Sequence, residues 1–442
     1  MISKLRSTLG ADALETTTKW FGTVARVSGA RLVIDGLGGV GRLGDRIAIQ
    51  RDGKEDFLAE IIGVEDARLI AFGFGAPDGV GAGDIAVLNR NSPFAFPCED
   101  WLGDVLDWRG RREDGSAPAN GPHKMALCAA ALKAPMRKSL GARMPTGHAV
   151  FDTFLPLCRG QRIGLFAGSG VGKSSLIGSL ARHVEADVTI VALIGERSRE
   201  VRGFISENFD QQAMKKSIVF YSTSDQPALM KMQNAHLAMT AAEYFRTAGA
   251  NVLLIVDSVT RYAQAHREVA VSGGEPPALG GYPPSTFELL ARYAERAGPG
   301  ARGGAEGDIT AIFSVLVSAS DMEEPIADSL RGILDGHVVL DRSIAERGRF
   351  PAIDIRRSVS RSLPHAANFD QNQILARART LLGAYEDKET IIKAGLYKAG
   401  ADLDLDHAIR IWPALDAFFT GIGAATFDER FSQLAEIIGK DY

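Results

Sequence analysis

Gly168-Ser169-Gly170-Val171-Gly172-Lys173-Ser174, preceded by Ala167, satisfies the pattern of a phosphate-binding loop, an Ala or Gly separated by four residues from Gly-Lys-Ser. The motif works only between a buried strand and the start of a helix, and both flanks are present. Ile163, Leu165 and Phe166 form an apolar run before the loop, and Leu176, Ile177, Leu180, Ala181 and Val184 recur at helical spacing after it. Gly168, Gly170 and Gly172 let the backbone turn so that successive N–H groups face inward, where they and the helix N-terminus hold phosphate oxygens. Ser169, Val171 and Ser175 belong to the same nucleotide-binding stretch. In this motif Lys173 reaches the β- and γ-phosphates and Ser174 ligates Mg²⁺. The rival reading is a glycine-rich turn that only joins strand to helix; the Lys-Ser pair and the correct flanks favour the phosphate loop.

At 442 residues the chain has room for about two to four domains. Its composition, 45% hydrophobic and 24% charged, is that of a soluble globular protein. No uncharged apolar run of about eighteen residues predicts a transmembrane span, and no N-terminal signal for secretion is recognisable. Cys98, Cys128 and Cys158 are widely separated, outside any Cys-x-x-Cys or Cys-His cluster, so they fit a reduced cytosolic compartment and suggest neither zinc nor a disulfide. A formal charge of −4 offers no bulk attraction to nucleic acid.

Three regions separate along the chain. Short β-rich runs recur at Thr23 to Val27, Arg31 to Ile34, Arg46 to Ile49, Phe57 to Val64, Arg68 to Phe72 and Ile85 to Leu88, with turns such as Gly36-Leu37-Gly38-Gly39 between them. They predict a small β-barrel over residues 21–92 without catalytic content. Residues 93–145 form a connector, exposed from Arg109 to Pro122. Up to residue 364, strand-like runs (Val188 to Leu193, Ile218 to Tyr221, Val252 to Val256, Ile309 to Val317, Val338 to Leu340) alternate with helical ones. That alternation predicts an α/β domain with a mainly parallel sheet. Residues 365–442 look helical at Gln371 to Leu382 and Leu405 to Phe419, a small C-terminal helical domain.

Two strand ends carry carboxylates. The strand from Val188 to Leu193 leads into Gly195-Glu196-Arg197-Ser198-Arg199-Glu200, and Glu196 is placed to polarise an attacking water. A solvated charged loop is the alternative there. Val252-Leu253-Leu254-Ile255-Val256-Asp257 closes on an aspartate, the form of segment that supports Mg²⁺ through water. A helix cap is the alternative for Asp257.

Together, Gly168 to Ser174, Gly195 to Glu200, Val252 to Arg261 and Gly280-Gly281-Tyr282-Pro283-Pro284-Ser285 resemble the hexameric ATPases related to the catalytic subunit of rotary ATP synthases. Ser224-Asp225-Gln226-Pro227-Ala228-Leu229-Met230, Ala242-Glu243-Tyr244-Phe245-Arg246 and Gly274-Glu275-Pro276-Pro277 are similar to the ATPases of flagellar and type III protein export. The resemblance implies a RecA-like P-loop core, with ATP and Mg²⁺ as ligands. It implies that Glu196 orients water, Arg197 and Arg261 handle the γ-phosphate, and Asp257 sits behind Mg²⁺. Phe350, before Pro351-Ala352-Ile353-Asp354, matches the aromatic placed against adenine, with Phe418 or Phe419 on the other side of the base. Arg361 matches the arginine that reaches into a neighbouring subunit's site.

One chain then holds both Glu196 and Arg361, so a ring of identical copies, a homohexamer in this family, would complete every site through a closed heterologous contact. The resemblance further implies export from the cytoplasmic side of the inner membrane, with a stator-like regulatory protein, a stalk protein, export substrates and chaperones, and a membrane export gate as partners. Ile2, Leu5, Leu9 and Leu14 approximate an apolar helical face, making residues 1–20 the segment for the regulatory partner; a membrane-surface helix and a frayed terminus are the rivals. Ala394-Gly395-Leu396-Tyr397-Lys398-Ala399-Gly400 is expected near the pore or stalk. Lys231 stands where relatives usually carry arginine and Ser198 where export ATPases commonly carry glycine; lysine lacks arginine's two-pronged donor. An injectisome export ATPase, a noncatalytic ring subunit and a hexameric RNA translocase are the alternatives to a flagellar export ATPase.

Overall fold

The period-two alternation of the N-terminal runs becomes a closed barrel in a computed structural model that describes residues 19–89, 93–317 and 321–439. The apolar segment from Ile2 to Leu14 lies outside the described residues. The barrel strands are β1 (Trp20–Ser28), β2 (Arg31–Asp35), β3 (Arg46–Ile49), β4 (Phe57–Glu65), β5 (Arg68–Gly73) and β6 (Ile85–Asn89), joined antiparallel in the order β1-β2-β5-β4-β3-β6. Leu32, Ile34, Ile47, Ile49, Ala59, Ile61, Leu69 and Leu88 point inward and fill the interior. Closure leaves no sheet edge to template further pairing. A second apolar cluster, Phe72, Phe74, Trp108, Ala228, Leu229, Ala265 and Val269, joins the barrel to the next domain, with the Phe74 and Trp108 rings stacked at 5.1 Å.

The central sheet has nine strands. Along its main path the order is Ile353–Ser360, Gly336–Leu340, Arg162–Ala167, Asp308–Leu316, Val252–Asp257, Val188–Glu196, Ser217–Thr223 and Val105–Leu106. The six strands from Gly336–Leu340 to Ser217–Thr223 pair in parallel, and Val105–Leu106 joins them the same way. Parallel strands need helices over both faces, and the side chains sort accordingly. Val191, Leu193, Leu253 and Ile255 belong to one core, while Ile190, Ala192, Leu254 and Val256 belong to the other.

Two elements depart from the sequence reading. Ile353–Ser360 is an antiparallel edge strand against Gly336–Leu340; Arg356 and Arg357 interrupt its apolar alternation and hide it. Within the connector, Val105–Leu106 joins the sheet, and Trp101 and Trp108 are buried, although most of Arg109 to Pro122 is exposed.

The C-terminal region is three helices, Phe369–Lys393, Leu403–Phe419 and Phe427–Ile438. Reciprocal capping boxes start the first (Asn368 with Gln371) and the last (Thr426 with Glu429), satisfying orphan N–H groups that would otherwise fray. Tyr385 stacks on Trp412 at 4.0 Å and ties the first helix to the second. Residues 394–400 form an exposed turn between those two helices.

Candidate functional site

The strand Arg162–Ala167 runs into the glycine loop, and the helix Lys173–His183 starts directly after Gly172. Gly170 and Gly172 have φ of +78° and +83°, conformations that L side chains rarely adopt. Gly168 does not; a Cβ there would meet only the Val317 carbonyl oxygen at 3.7 Å, so its glycine is not demanded by the backbone. Gly172 caps the helix without a side chain, and Leu176 is the first residue to donate back, to the Gly172 carbonyl at 3.0 Å. The amides of Lys173, Ser174 and Ser175 are thus the first-turn donors for an anion, reinforced by the helix dipole.

Two further strand ends converge on this helix. Lys173 Nζ is paired with Asp257 Oδ1 and stands 4.0 Å from Glu196 Oε1. Asp257 closes a strand in which every residue is buried. Glu196 is turned by a bulge between Ile194 and Glu196, where Gly195 has φ +68°. Burial, and then the charge of Asp257, push the Glu196 carboxyl up to about 7, against the opposing pull of Lys173. Such a carboxyl is poised to take a proton near neutral pH. Ser174, Ser175, Glu196, Arg197 and Asp257 line one cavity of about 840 Å³. Ser174 and Asp257 offer hard oxygen donors, the set that suits Mg²⁺ when phosphates and water supply its other ligands.

The cationic candidates differ in placement. Arg197 precedes the helix Ser198–Asn208, is largely exposed, and donates to Glu200 Oε1 at 3.1 Å. Arg261 lies in the first turn of the helix Val259–Ser272, capped by Ser258; its Nη1 donates to Gln264 Oε1 at 3.1 Å. Arg261 lies beside Gly195, where a Cβ would meet the arginine's own Cβ at 3.3 Å. Arg361 is elsewhere. Its backbone N–H donates to the Asp335 carbonyl and its Nη2 to the Arg331 carbonyl. Because Ile353–Ser360 runs antiparallel, with Ser360 opposite Gly336, Arg361 emerges at the end of the sheet where Arg162–Ala167 begins. At about 3.3 Å per residue, that strand puts it roughly 20 Å from the loop of its own chain.

Phe350 lies against the glycine loop. Its ring carbons would stand 3.1 and 3.2 Å from a Cβ on Gly172, and the ring is 49% exposed. Arg349, which the sequence reading passed over, fixes this segment: its Nη1 donates to Asp416 Oδ1 at 3.0 Å and its Nη2 to the Ile353 carbonyl at 2.9 Å. Nothing local distinguishes Arg349 from its neighbours Arg347 and Arg342; its burial does, since Arg347 also pairs with the C-terminal helices, through Glu389, but stays exposed. Asn234 was also missed. Buried, it donates from Nδ2 to the Leu193 carbonyl at 3.0 Å and steadies the strand that carries Glu196. The second aromatic cover is corrected. Phe419 is 2% exposed, edge-on to Phe154 at 5.7 Å, and Phe418 packs into the C-terminal helical core, because the apolar stripe of their helix faces inward.

The comparisons agree with this architecture. Residues 147–360 match the ATP synthase alpha/beta family, nucleotide-binding domain, and residues 367–436 match the T3SS EscN ATPase C-terminal domain. The flagellum-specific ATP synthase of Caulobacter vibrioides is 40% identical over 430 residues, 96% of each chain. This chain belongs to the family of flagellar and type III export ATPases. Another member, the flagellum-specific ATP synthase of Salmonella typhimurium, is 39% identical over 92% of this chain and 90% of its own. Among solved structures, the assembled type III secretion ATPase EscN of enteropathogenic E. coli superposes with a TM-score of 0.88 at 34% identity, over 95% of this chain and 100% of that one. EscN in complex with its central stalk EscO superposes at 0.84, with the same identity and coverage. ATPase function in type III export is what this family membership carries, on a fold of barrel, P-loop core and C-terminal helices.

Proposed function

We propose that the chain hydrolyses ATP with Mg²⁺ to drive flagellar protein export at the cytoplasmic side of the inner membrane, working as a homohexameric ring. The observation that carries this reading is the convergence of Lys173, Asp257 and Glu196 at the mouth of the glycine loop. Flagellum-specific ATP synthases that match over most of this chain support the flagellar system in this reading.

In this reading the loop amides and Lys173 grip the β- and γ-phosphates, and Phe350 stacks on adenine. Ser174 and Asp257, the latter through water, would hold Mg²⁺, whose charge offsets that of the phosphates when it is bound. Glu196 orients a water for in-line attack on the γ-phosphorus and accepts its proton as the bond to the leaving oxygen breaks. Arg197 and Arg261 steady the γ-phosphate. Arg361 of the adjacent copy reaches the same phosphate, since no copy can direct it to its own loop. The ring would take a stalk in its centre, with the 394–400 turn near it. A stator-like regulator would bind residues 1–20, and export substrates, their chaperones and the membrane gate would complete the machine. Among the described residues no helix is long and apolar enough to cross a membrane, so attachment through partners fits.

The test is phosphate release by purified protein, with and without a magnesium chelator, beside export in cells lacking the gene. Mg²⁺-dependent release and lost flagellar export are expected; absence of release from assembled protein overturns the reading.

A further inference from the structure

A second cavity, of about 760 Å³, opens on the other side of Gly195 and is lined by Lys231, Arg261, Arg267 and Glu268. We propose that this cleft is a second anion site, which receives inorganic phosphate as it leaves the hydrolysis site. The proposal rests on the ATPase reading above for the origin of its ligand, while the cleft's affinity for phosphate stands on its own chemistry.

Three cations meet one carboxylate here, in a chain whose formal charge is −4. Among the described residues none of the three cations is in an ion pair, whereas Arg162, Arg296 and Arg331 of the same domain each are. Their neutral contacts leave donors free. Lys231 Nζ spends one hydrogen on the Ser224 carbonyl at 2.9 Å, and Arg261 spends one arm on Gln264. Arg267 lies over the Tyr282 ring at 5.0 Å, which supports the guanidinium plane and leaves its fork unused. Lys231 and Arg267 are half-buried without an ion pair, which is costly unless an anion joins them, and a guanidinium fork beside an ammonium suits phosphate oxygens; the more exposed Arg261 adds a third positive charge.

Position gives the ligand its source. Glu196 lines the first cavity and Gly195, the next residue back, lines the second. The side chains of Arg261 and Lys231 both approach Gly195, within 3.3 and 3.5 Å of where a Cβ would sit. The two cavities therefore meet at one residue of backbone. A phosphate cleaved beside Glu196 passes Arg261 first and meets Lys231 and Arg267 next. Phe350 and the adenine side lie at Gly172, so the nucleoside diphosphate is held elsewhere while phosphate moves. Glu268, the one carboxylate lining the cleft among the described residues, weakens the grip and favours departure.

Binding of radiolabelled inorganic phosphate to the full-length protein tests this, beside MgADP binding measured on the same samples. Lys231→Gln and Arg267→Gln should each weaken phosphate binding about tenfold, the loss of one charge-assisted contact. MgADP affinity should stay unchanged, Lys231→Arg should retain phosphate, and Glu268→Gln should tighten it. Phosphate affinity that is unaltered in all four variants, or that falls only together with MgADP affinity, overturns the cleft. Phosphate binding without any ATP turnover would instead sink the ATPase reading and leave the cleft standing.

Discussion

Lys173 and Asp257 form an ion pair at the glycine loop, with the lysine side chain 11% and the aspartate 4% exposed. Lys173 opens the helix that follows the strand Arg162–Ala167, Asp257 closes the strand Val252–Asp257, and Asp308–Leu316 lies between those two strands. The pair joins the loop to the next βα junction and keeps a buried carboxylate compensated.

Removing the ammonium alone strands that carboxylate. Lys173→Ala should lose nucleotide binding and also destabilise the fold by about 3 kcal/mol, the scale of breaking a buried pair. Lys173→Ala with Asp257→Asn should recover most of the stability and none of the turnover. Thermal unfolding with a nucleotide-binding assay separates the two effects; equal melting of single and double variants would contradict the compensation.

Glu196→Gln should bind MgATP but turn over about 10²- to 10⁴-fold more slowly, the range for a lost general base. Arg361→Ala should slow turnover by about 10³-fold or more, as for a missing arginine finger. Mixing the two inactive proteins before assembly should restore activity at about a quarter of the sites, where an intact Glu196 meets an intact Arg361. Mixed rings as inactive as their parents would place Arg361 outside the neighbour's site.

Phe350→Ala removes a stacking surface and leaves every phosphate-binding residue in place. KM for ATP should rise several-fold, matching about 0.5–1.5 kcal/mol of aromatic contact, while kcat holds. A fall in kcat at constant KM would deny the ring a role against the base.

Glu386 is pushed up to about 7, first by burial and then by the charge of Asp354, against Arg356, Arg349 and Arg347. Its folded value lies above the unfolded value of about 4.3. Its contribution to stability is therefore complete below about pH 4 and is lost as pH rises through 7. Glu386→Gln, which never ionises, should gain in Tm relative to the native protein as pH is raised from 5 to 8. A difference in Tm that does not change with pH would remove the effect.

Local chemistry made the most of this chain legible. The glycine loop, the apolar strands ending at Glu196 and Asp257, and the barrel strands are patterns within a dozen residues, and Arg46–Ile49 has the same limits in both readings. What the sequence concealed is set by distant packing. The charged pair Arg356-Arg357 masks an edge strand whose pairing partner lies some twenty residues earlier. The packing of Phe350 on Gly172 and the anchoring of Arg349 by Asp416 depend on how three C-terminal helices dock. Phe419 looked available for a base because an aromatic near a helix end carries no mark of which way it faces.

In the ring proposed above, the reversed edge strand would give every copy a sending flank and a receiving flank, since Arg361 leaves at one end of the sheet and the glycine loop opens at the other. Subunits joined on those terms all point the same way around a circle. A single copy crippled at both flanks would then silence two reaction centres, its own and the one it serves, so a small admixture of defective chains should poison the assembly out of proportion to its abundance.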